Sequence, residues 1–554
     1  MKLKQRSLMA TGGAAVLLLV AFQTNCFGLL GVTSPLVRHK IRPRSGDVAA
    51  NALRAAEDPD IRAHISIMRK DLDLSAYVSL ETDTQNLTDS RLLELVLEDT
   101  KMQKKGVVDR IIRVAHLLES YKNGLKPNIN TYDAHNSQGD DSNVAGTVSS
   151  VKGNRSPETL APRVIQRLDK IVSAMENKHQ RVPMHKAPRL DIHNTVSQEG
   201  SRLPAWKTFH NHISQYSLYD PKDPAIDEML QDLVSQPIVK VYQHEGGTQL
   251  KLVFYLANNA RVMWKPRRFP RDRGTLPDHF YFNDYERFNA EIAAFHLDRI
   301  LGFYRVTPTA GKLLNMTHDI LRLADKKLAK TFYISPAGNV CFYGQCSYYC
   351  DTNHALCGRP DMLEGSMAAF LPGSLTVKRK KWLHPWKRSY SKHRLAAWRT
   401  DTTYCDKVRQ KPPYNTGRRL LDLTDLAVFD FFTGNLDRHH YETFLGFGNF
   451  TSLLHLDNGR GFGKPHYDDL TILAPVTQCC LIRYSTLRRL LGFLRSQTTL
   501  AQRMRQSMAR DKLAPILTEP HLTALNRRLI VVLQVVYNCT TKRRTRDVIV
   551  DDGF

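Results

Sequence analysis

The chain has 554 residues, a formal net charge of +25, 42% hydrophobic residues and 9 cysteines. That apolar content is ordinary for a globular protein. A field of that sign disfavours basic partners and attracts phosphate groups, so nucleic acid is the first partner class to weigh and acidic protein the second.

Lys2, Lys4 and Arg6 precede an apolar stretch from Leu8 to Phe22, the pattern of a charged n-region and an h-region in a secretory leader. The stretch is shorter than the roughly 20 apolar residues of a spanning helix. Gln23-Thr24-Asn25 interrupts it before Cys26-Phe27-Gly28-Leu29-Leu30. Residues 1–30 therefore read as a signal peptide or a signal-anchor, the anchor being the only membrane contact. A lumenal protein rarely meets DNA or RNA, so the expectation is no nucleic acid, acidic secreted protein substrates, and a place in the Golgi lumen or outside the cell.

Residues 31–205 read as a stalk or pro-segment. Val107, Ile111, Val114 and Leu118 recur at helical spacing within Leu92 to Lys122. From Asp133 to Pro204 there is no Phe, Trp or Tyr. Such a stretch buries little and is expected to stay loose, apart from a helix around Pro162 to Met175.

From 206 to 545 the texture is that of a catalytic domain. Gly246-Gly247 suggests a turn feeding a strand through Phe254, and Arg261-Val262-Met263-Trp264-Lys265 a second strand of a hairpin. Gln249 and Lys251, two apart, would share a face of a regular strand and reach a nucleotide. Asn283-Asp284-Tyr285-Glu286 resembles a capped helix start, the helix running through Ile292, Phe295 and Leu301. Lys378 to Arg394 carries eight Lys/Arg and no acidic residue, interleaved with Trp382, Trp386 and Tyr390, either a docking surface for acidic protein or a solvated face. Leu423, Ala427 and Phe431 mark a helix that delivers the chain to Asp437.

Asp437 sits in Gly434-Asn435-Leu436-Asp437-Arg438-His439-His440-Tyr441-Glu442. Asp457 opens Asp457-Asn458-Gly459-Arg460-Gly461 after the apolar run Leu453-Leu454-His455-Leu456, expected as a short strand. A protein kinase places a catalytic Asp, a metal-binding side chain five residues on, and then a strand ending in Asp-x-Gly. Asp437, Glu442 and Asp457 reproduce that order. Asp437 would be the base or orienting carboxylate for a hydroxyl nucleophile; the plain alternative is a structural pair with Arg438. Asp457 would bind the cation that bridges ATP phosphates. Glu442, in place of the usual Asn, adds a negative ligand and suits manganese at least as well as magnesium. Lys265 would contact phosphates and pair with Glu286, with Glu291 and Asp298 as competitors.

Cys341, Cys346, Cys350, Cys357, Cys405, Cys479, Cys480 and Cys539 form an even set. Four disulfides are expected in an oxidising lumen, ahead of zinc, because the quartet Cys341 to Cys357 holds no CxxC pair. Asn86, Asn154, Asn315, Asn449 and Asn538 open Asn-x-Ser/Thr sequons and are glycosylation candidates.

Taken together, Gly247-Thr248-Gln249-Leu250-Lys251-Leu252, Asp284-Tyr285-Glu286-Arg287, the run Asn289 to Leu301, Cys346-Ser347-Tyr348-Tyr349-Cys350, Asn435 to Phe444 and His455 to Gly463 closely resemble the secretory-pathway kinases called family with sequence similarity twenty. The Golgi casein kinase type, member C, matches best, from about Trp206 to Cys539. The resemblance implies an α+β, atypical protein-kinase-like two-lobed fold, with a small β-rich N-lobe, a mostly helical C-lobe and disulfide stabilisation. It implies transfer of the ATP gamma-phosphate to Ser in Ser-x-Glu motifs, with manganese. Gln249, Lys265 and Ala368-Ala369-Phe370-Leu371 would contact ATP, Glu286, Glu442 and Asp457 metal or nucleotide, and Asp437 would be catalytic. The implied bridges are Cys341–Cys357, Cys346–Cys350, Cys405–Cys479 and Cys480–Cys539. A homodimer, or a heterodimer with a family pseudokinase, is the implied assembly. Two other family roles, activating a related kinase without turnover and phosphorylating xylose in a proteoglycan linker, are the alternatives. Residues in the 370s to 410s depart from member C, which bears on substrate preference.

Overall fold

The computed structural model describes residues 162–176, 179, 187–190, 192 and 203–554, apart from 374–375 and 392. The leader, the helical pattern at 92–122 and the sequons Asn86 and Asn154 lie outside these residues. Helices α1 (Pro162–Glu176), α2 (Ala205–His212) and α3 (Pro224–Ser235) precede strands β1 (Ile238–Gln243), β2 (Leu252–Leu256) and β3 (Arg261–Pro266). Helix α4 (Phe288–Leu301), strand β4 (Thr309–Asn315), a small sheet of β5 (Phe332–Ile334), β6 (Val340–Phe342) and β7 (Leu356–Cys357), and then β8 (Met362–Ala369) follow.

β1-β2-β3-β8-β4 form one five-stranded sheet whose neighbours all run antiparallel. Val253, Phe254, Val262 and Trp264 are fully buried in it. The register sets Lys265 opposite Ser366 and Met263 opposite Ala368. β2 begins only at Leu252, because Gly246 and Gly247 take φ of 81° and 84° and Gln249 is drawn into loop contacts. Gln249 and Lys251 therefore do not share a strand face.

α4 is buried on nearly every side, so it separates the sheet from the second lobe instead of lying on a surface. It starts at Phe288 with Arg287 as N-cap and no side-chain cap. The expected capping box over Asn283 to Glu286 does not form: the Glu286 carboxylate turns to Lys265 (2.8 Å), and that of Asp284 accepts from Thr275 Oγ1 (2.8 Å) and from Arg287 (2.8 and 3.1 Å).

The second lobe is mostly helical: α5 (Arg419–Thr433), α6 (Tyr484–Arg495), α7 (Leu500–Met508) and α8 (Glu519–Lys542), with a two-stranded ribbon of β9 (Arg379–Leu383) and β10 (His440–Phe444). All of α5 is buried. Its Asp422 and Asp425 meet Arg305, Arg418 and Arg483. Burial alone would push the Asp422 carboxyl up, but the three guanidinium groups outweigh it and hold it below the usual carboxylate range. Gly434 ends α5 at φ 69°, a left-handed turn that glycine makes without strain. The expected strand at 453–456 is reduced to one bridge, Leu454 to Glu442, because Ser452 and His455 spend their N–H groups on Gln215 and Arg305 carbonyls.

The bridges Cys341–Cys357, Cys346–Cys350, Cys405–Cys479 and Cys480–Cys539 are present, the pairing the family resemblance implies. They consume all eight cysteines that zinc would need. Of the sequons within the described residues, Asn449 and Asn538 are exposed and Asn315 is half-buried. Among the described residues no helix is long and apolar enough to cross a membrane.

The helix expected around Pro162 to Met175 forms as α1 and contributes packing. Val164, Leu168 and Val172 on α1, four residues apart, join the main hydrophobic core. Asp169 and Glu176 pair with Arg495 and Arg488 of α6. Leu168→Ala is expected to cost about 2–5 kcal/mol, the range for a buried leucine in a packed core. Urea unfolding checks this, and a loss below about 0.5 kcal/mol would mean α1 is not part of the body.

Candidate active site

Lys265 reaches the end of β3 with its ammonium inside a ring of carboxylates. Nζ lies 2.6 Å from Glu291 Oε1, 2.8 Å from Glu286 Oε2 and 3.0 Å from Asp457 Oδ1. Lys265, Glu286 and Glu291 are almost closed to solvent, whereas the Asp457 side chain is 61% exposed and so faces the open side. Burial would push the Lys265 ammonium down; Glu286, Glu291 and Asp457 outweigh it and hold it well above its ordinary range. Lys265 in turn holds the Asp457 carboxyl well below the usual carboxylate range. The competitor Asp298 is spent elsewhere, on His455 (3.0 Å) and the Arg305 N–H (2.7 Å).

Each carboxylate is braced. Glu291 Oε1 also accepts from the Asn458 N–H (3.1 Å), which ties the first turn of α4 to the Asp457 loop. Gly459 packs against Glu286: a Cβ there would come within 3.0 Å of Glu286 Cβ. The Gly459 carbonyl accepts from the Arg287 N–H (2.6 Å). Gln249, buried, accepts from the Glu286 N–H (2.8 Å) and donates to the Asp284 carbonyl (2.7 Å). Its place is thus beneath Glu286, where it fixes the backbone that presents that carboxylate.

Asp437 leaves α5 through the Gly434 turn, and its N–H donates to Asn435 Oδ1 (3.0 Å). The alternative, a structural pair with Arg438, does not form. Arg438 turns inward to Asp430 (2.9 Å), to the Leu456 carbonyl and to Asn458 Oδ1 (2.8 Å). Asp437 pairs instead with Arg460, and His439 Nδ1 lies 3.4 Å from its Oδ1. That Oδ1 is buried and accepts no hydrogen bond, which leaves it available to a proton donor. Arg438 and Arg460 therefore lock the Asp437 and Asp457 loops together, although no contact links Asp437 to Lys265.

Ala368-Ala369-Phe370-Leu371 continues from β8. The Phe370 N–H donates to the Arg261 carbonyl (3.1 Å), and the Phe370 carbonyl bonds His210 Nε2 (2.9 Å). Glu442 stands apart from the Lys265 ring, on β10, and pairs with Arg379 at 3.2 Å. The sequence left Glu286 and Glu291 as rivals for Lys265; the ammonium takes both. The braces Gln249, Arg438 and Arg460 needed tertiary contacts to be seen.

No group of three His, Cys, Asp or Glu side chains among the described residues could by itself hold a metal ion. A cation that bridges nucleotide phosphates needs only one or two carboxylates, the rest of its shell being phosphate and water. Asp457, open to the cleft, and Glu286, whose carboxylate lies beside it on the same Lys265 ammonium, fit that donor set.

A family model described as Golgi casein kinase, C-terminal, Fam20, matches residues 204–548. An extracellular serine/threonine protein of Drosophila melanogaster, CG31145, is 55% identical over 357 residues, 64% of this chain and 67% of that protein. The extracellular serine/threonine protein kinase FAM20C of Homo sapiens is 53% identical over 350 residues, 63% of this chain and 60% of that protein. A crystal structure of the Golgi casein kinase with Mn/ADP bound shares the fold at a TM-score of 0.63 and 40% identity, covering 73% of this chain and 96% of that one.

Proposed function

The chain belongs to the Fam20 family, and from that premise we propose that it is a secretory-pathway serine protein kinase. It moves the ATP gamma-phosphate to serine in acidic Ser-x-Glu motifs of secreted proteins, with manganese as the preferred cation and magnesium as the alternative. The observation that carries this is the convergence of Glu286, Glu291 and Asp457 on Lys265, with Asp437 on the adjoining loop. The likeness to a casein kinase holding Mn and ADP supports the nucleotide and the metal. Residues 206–545 form the catalytic domain, residues 1–30 a signal or anchor, and residues 31–205 a stalk or pro-segment that includes the packed helix α1.

In this scheme Lys265 binds nucleotide phosphate oxygens while the buried glutamates keep its charge in place. The segment 368–371 lines the nucleotide, and Gln249 holds Glu286 in register. A divalent cation held by Asp457 and Glu286 would neutralise charge on the phosphates. Asp437 orients the serine hydroxyl and accepts its proton. The serine oxygen forms a bond to the gamma phosphorus, the bond to the bridging oxygen breaks, and ADP leaves.

The test is purified lumenal protein with ATP and manganese, offered a Ser-x-Glu peptide and a xylose-bearing linker glycan. Labelling of the peptide is expected. Labelling of the glycan alone would assign a sugar kinase, and labelling of neither would assign an activator of a related kinase. Glu286→Gln keeps shape and removes charge, so it is expected to keep the fold and lose at least about tenfold in kcat/KM. Unchanged turnover would remove Glu286 from the site.

A further inference from the structure

The basic segment 378–394 wraps the loop that carries Asp437. β9 pairs antiparallel with β10, which starts three residues after Asp437, and the register sets Leu383 opposite His440 and Lys381 opposite Glu442. Beyond the strand the His384 N–H donates to the His439 carbonyl (2.9 Å). Trp386 is buried and donates to Gln478 Oε1 (2.7 Å). Tyr390 lies with its ring 5.7 Å from that of His439. The segment is thus fastened to the Asp437 loop on both sides.

Lys378 and Arg394 are exposed at its two ends, and the described cations between them divide into two groups. Arg379 pairs with Glu442 (3.2 Å) and Arg388 with Asp469 (3.5 Å), and Lys380 lies over the Trp382 ring at 3.9 Å. Glu442 faces Lys381 across the ribbon, but its carboxylate is taken by Arg379. Lys381 and Lys387 are exposed, and neither has a carboxylate within 4.0 Å among the described residues. Lys381 stands opposite Glu442, two residues beyond His440, and the Lys387 N–H donates to the carbonyl of His384 (3.0 Å), the residue bonded to the His439 carbonyl. Both cations are therefore carried by the ribbon that starts three residues after Asp437.

We infer that Lys381 and Lys387 form a docking ledge for the acidic flank of a polypeptide substrate and select the carboxylate that follows the acceptor serine. This rests on the kinase function proposed above. The geometry suits an extended peptide: two residues span about 7 Å at roughly 3.3–3.6 Å each, and a lysine stem covers the remaining distance. Two unpaired cations beside the acceptor site favour an acidic peptide mainly through encounter and orientation, so the effect is salt-dependent.

The experiment compares wild type with Lys381→Glu/Lys387→Glu on two peptides that differ only in Ser-x-Glu against Ser-x-Gln. Wild type is expected to prefer the Glu peptide in kcat/KM. The double variant is expected to lose that preference by about tenfold, mostly through KM, with the difference shrinking at high salt. Lys222→Glu, one such charge reversal on an exposed turn outside the segment, is expected to keep the preference. Equal preference in wild type and the double variant would overturn the ledge while the kinase function stands. Failure of wild type to label either peptide would overturn both. A double variant that loses both peptides equally would assign the segment to folding, a result that circular dichroism and the thermal midpoint would reveal and that equally overturns the ledge.

Discussion

Asp437→Asn is expected to lower kcat on a Ser-x-Glu peptide by about 10²–10⁴-fold, the span attributed to a positioned general base. The substitution preserves volume and leaves one oxygen, so the turn from Gly434 and the hydrogen bond of its own N–H to Asn435 persist. What disappears is the buried Oδ1 that accepts no hydrogen bond, along with the negative charge facing Arg460. Nucleotide binding is expected to survive, because Asp437 touches neither Lys265 nor its carboxylates. Steady-state kinetics, together with the melting shift produced by manganese and ADP, separate these outcomes. A loss smaller than tenfold would leave Asp437 a merely structural acid.

Asp457→Asn is expected to remove both activity and the nucleotide-dependent gain in stability. Asp457 is the open member of the ring around Lys265, and no other carboxylate in contact with that ammonium is so accessible. At 100 times Kd, a ligand that binds only the native state stabilises it by about 2.7 kcal/mol. That corresponds to a rise in Tm of several degrees for wild type and none for the variant. Acid stability supplies an independent readout. Lys265 lowers the folded-state Asp457 carboxyl below its unfolded value. Its contribution is therefore present above about pH 4 and is lost as pH falls toward the lower folded value. Wild type should lose stability more steeply than Asp457→Asn between about pH 4 and pH 2, as urea midpoints would show. Parallel slopes would break the link between Asp457 and Lys265.

The parts of this protein that a reader of the sequence can locate are those carried by neighbours in the chain. Asp437 and Asp457 announce themselves through flanking glycines, asparagines and arginines, and β3 through its alternation. Lys265 could be paired with a helix acid by type, but Glu286 and Glu291 both had suitable spacing. Only the folded chain shows that Gly459 lets one in beside the other. The local sequence places the cap of α4 at Asn283, four residues before the observed Arg287, because Asn283 and Glu286 form a good capping box in isolation, whereas in the fold Lys265 takes Glu286. The packing of α1 is illegible for a similar reason: its partners on α6 and α8 lie more than 300 residues away, and no local pattern records them. Gln249 is marked by its spacing from Lys251 and by the family resemblance, but its two hydrogen bonds to backbone across a loop leave no local pattern.

Cys479 and Cys480 are adjacent in the chain, yet one reaches back to Cys405 and the other forward to Cys539. Closing loops of 74 and 59 residues restricts the unfolded chain by about 4 kcal/mol each in the chain-entropy account, against a typical total stability of about 5–15 kcal/mol. Made among reduced thiols, the helical half would forfeit much of that margin, so these two bridges tie the stability of the fold to an oxidising compartment.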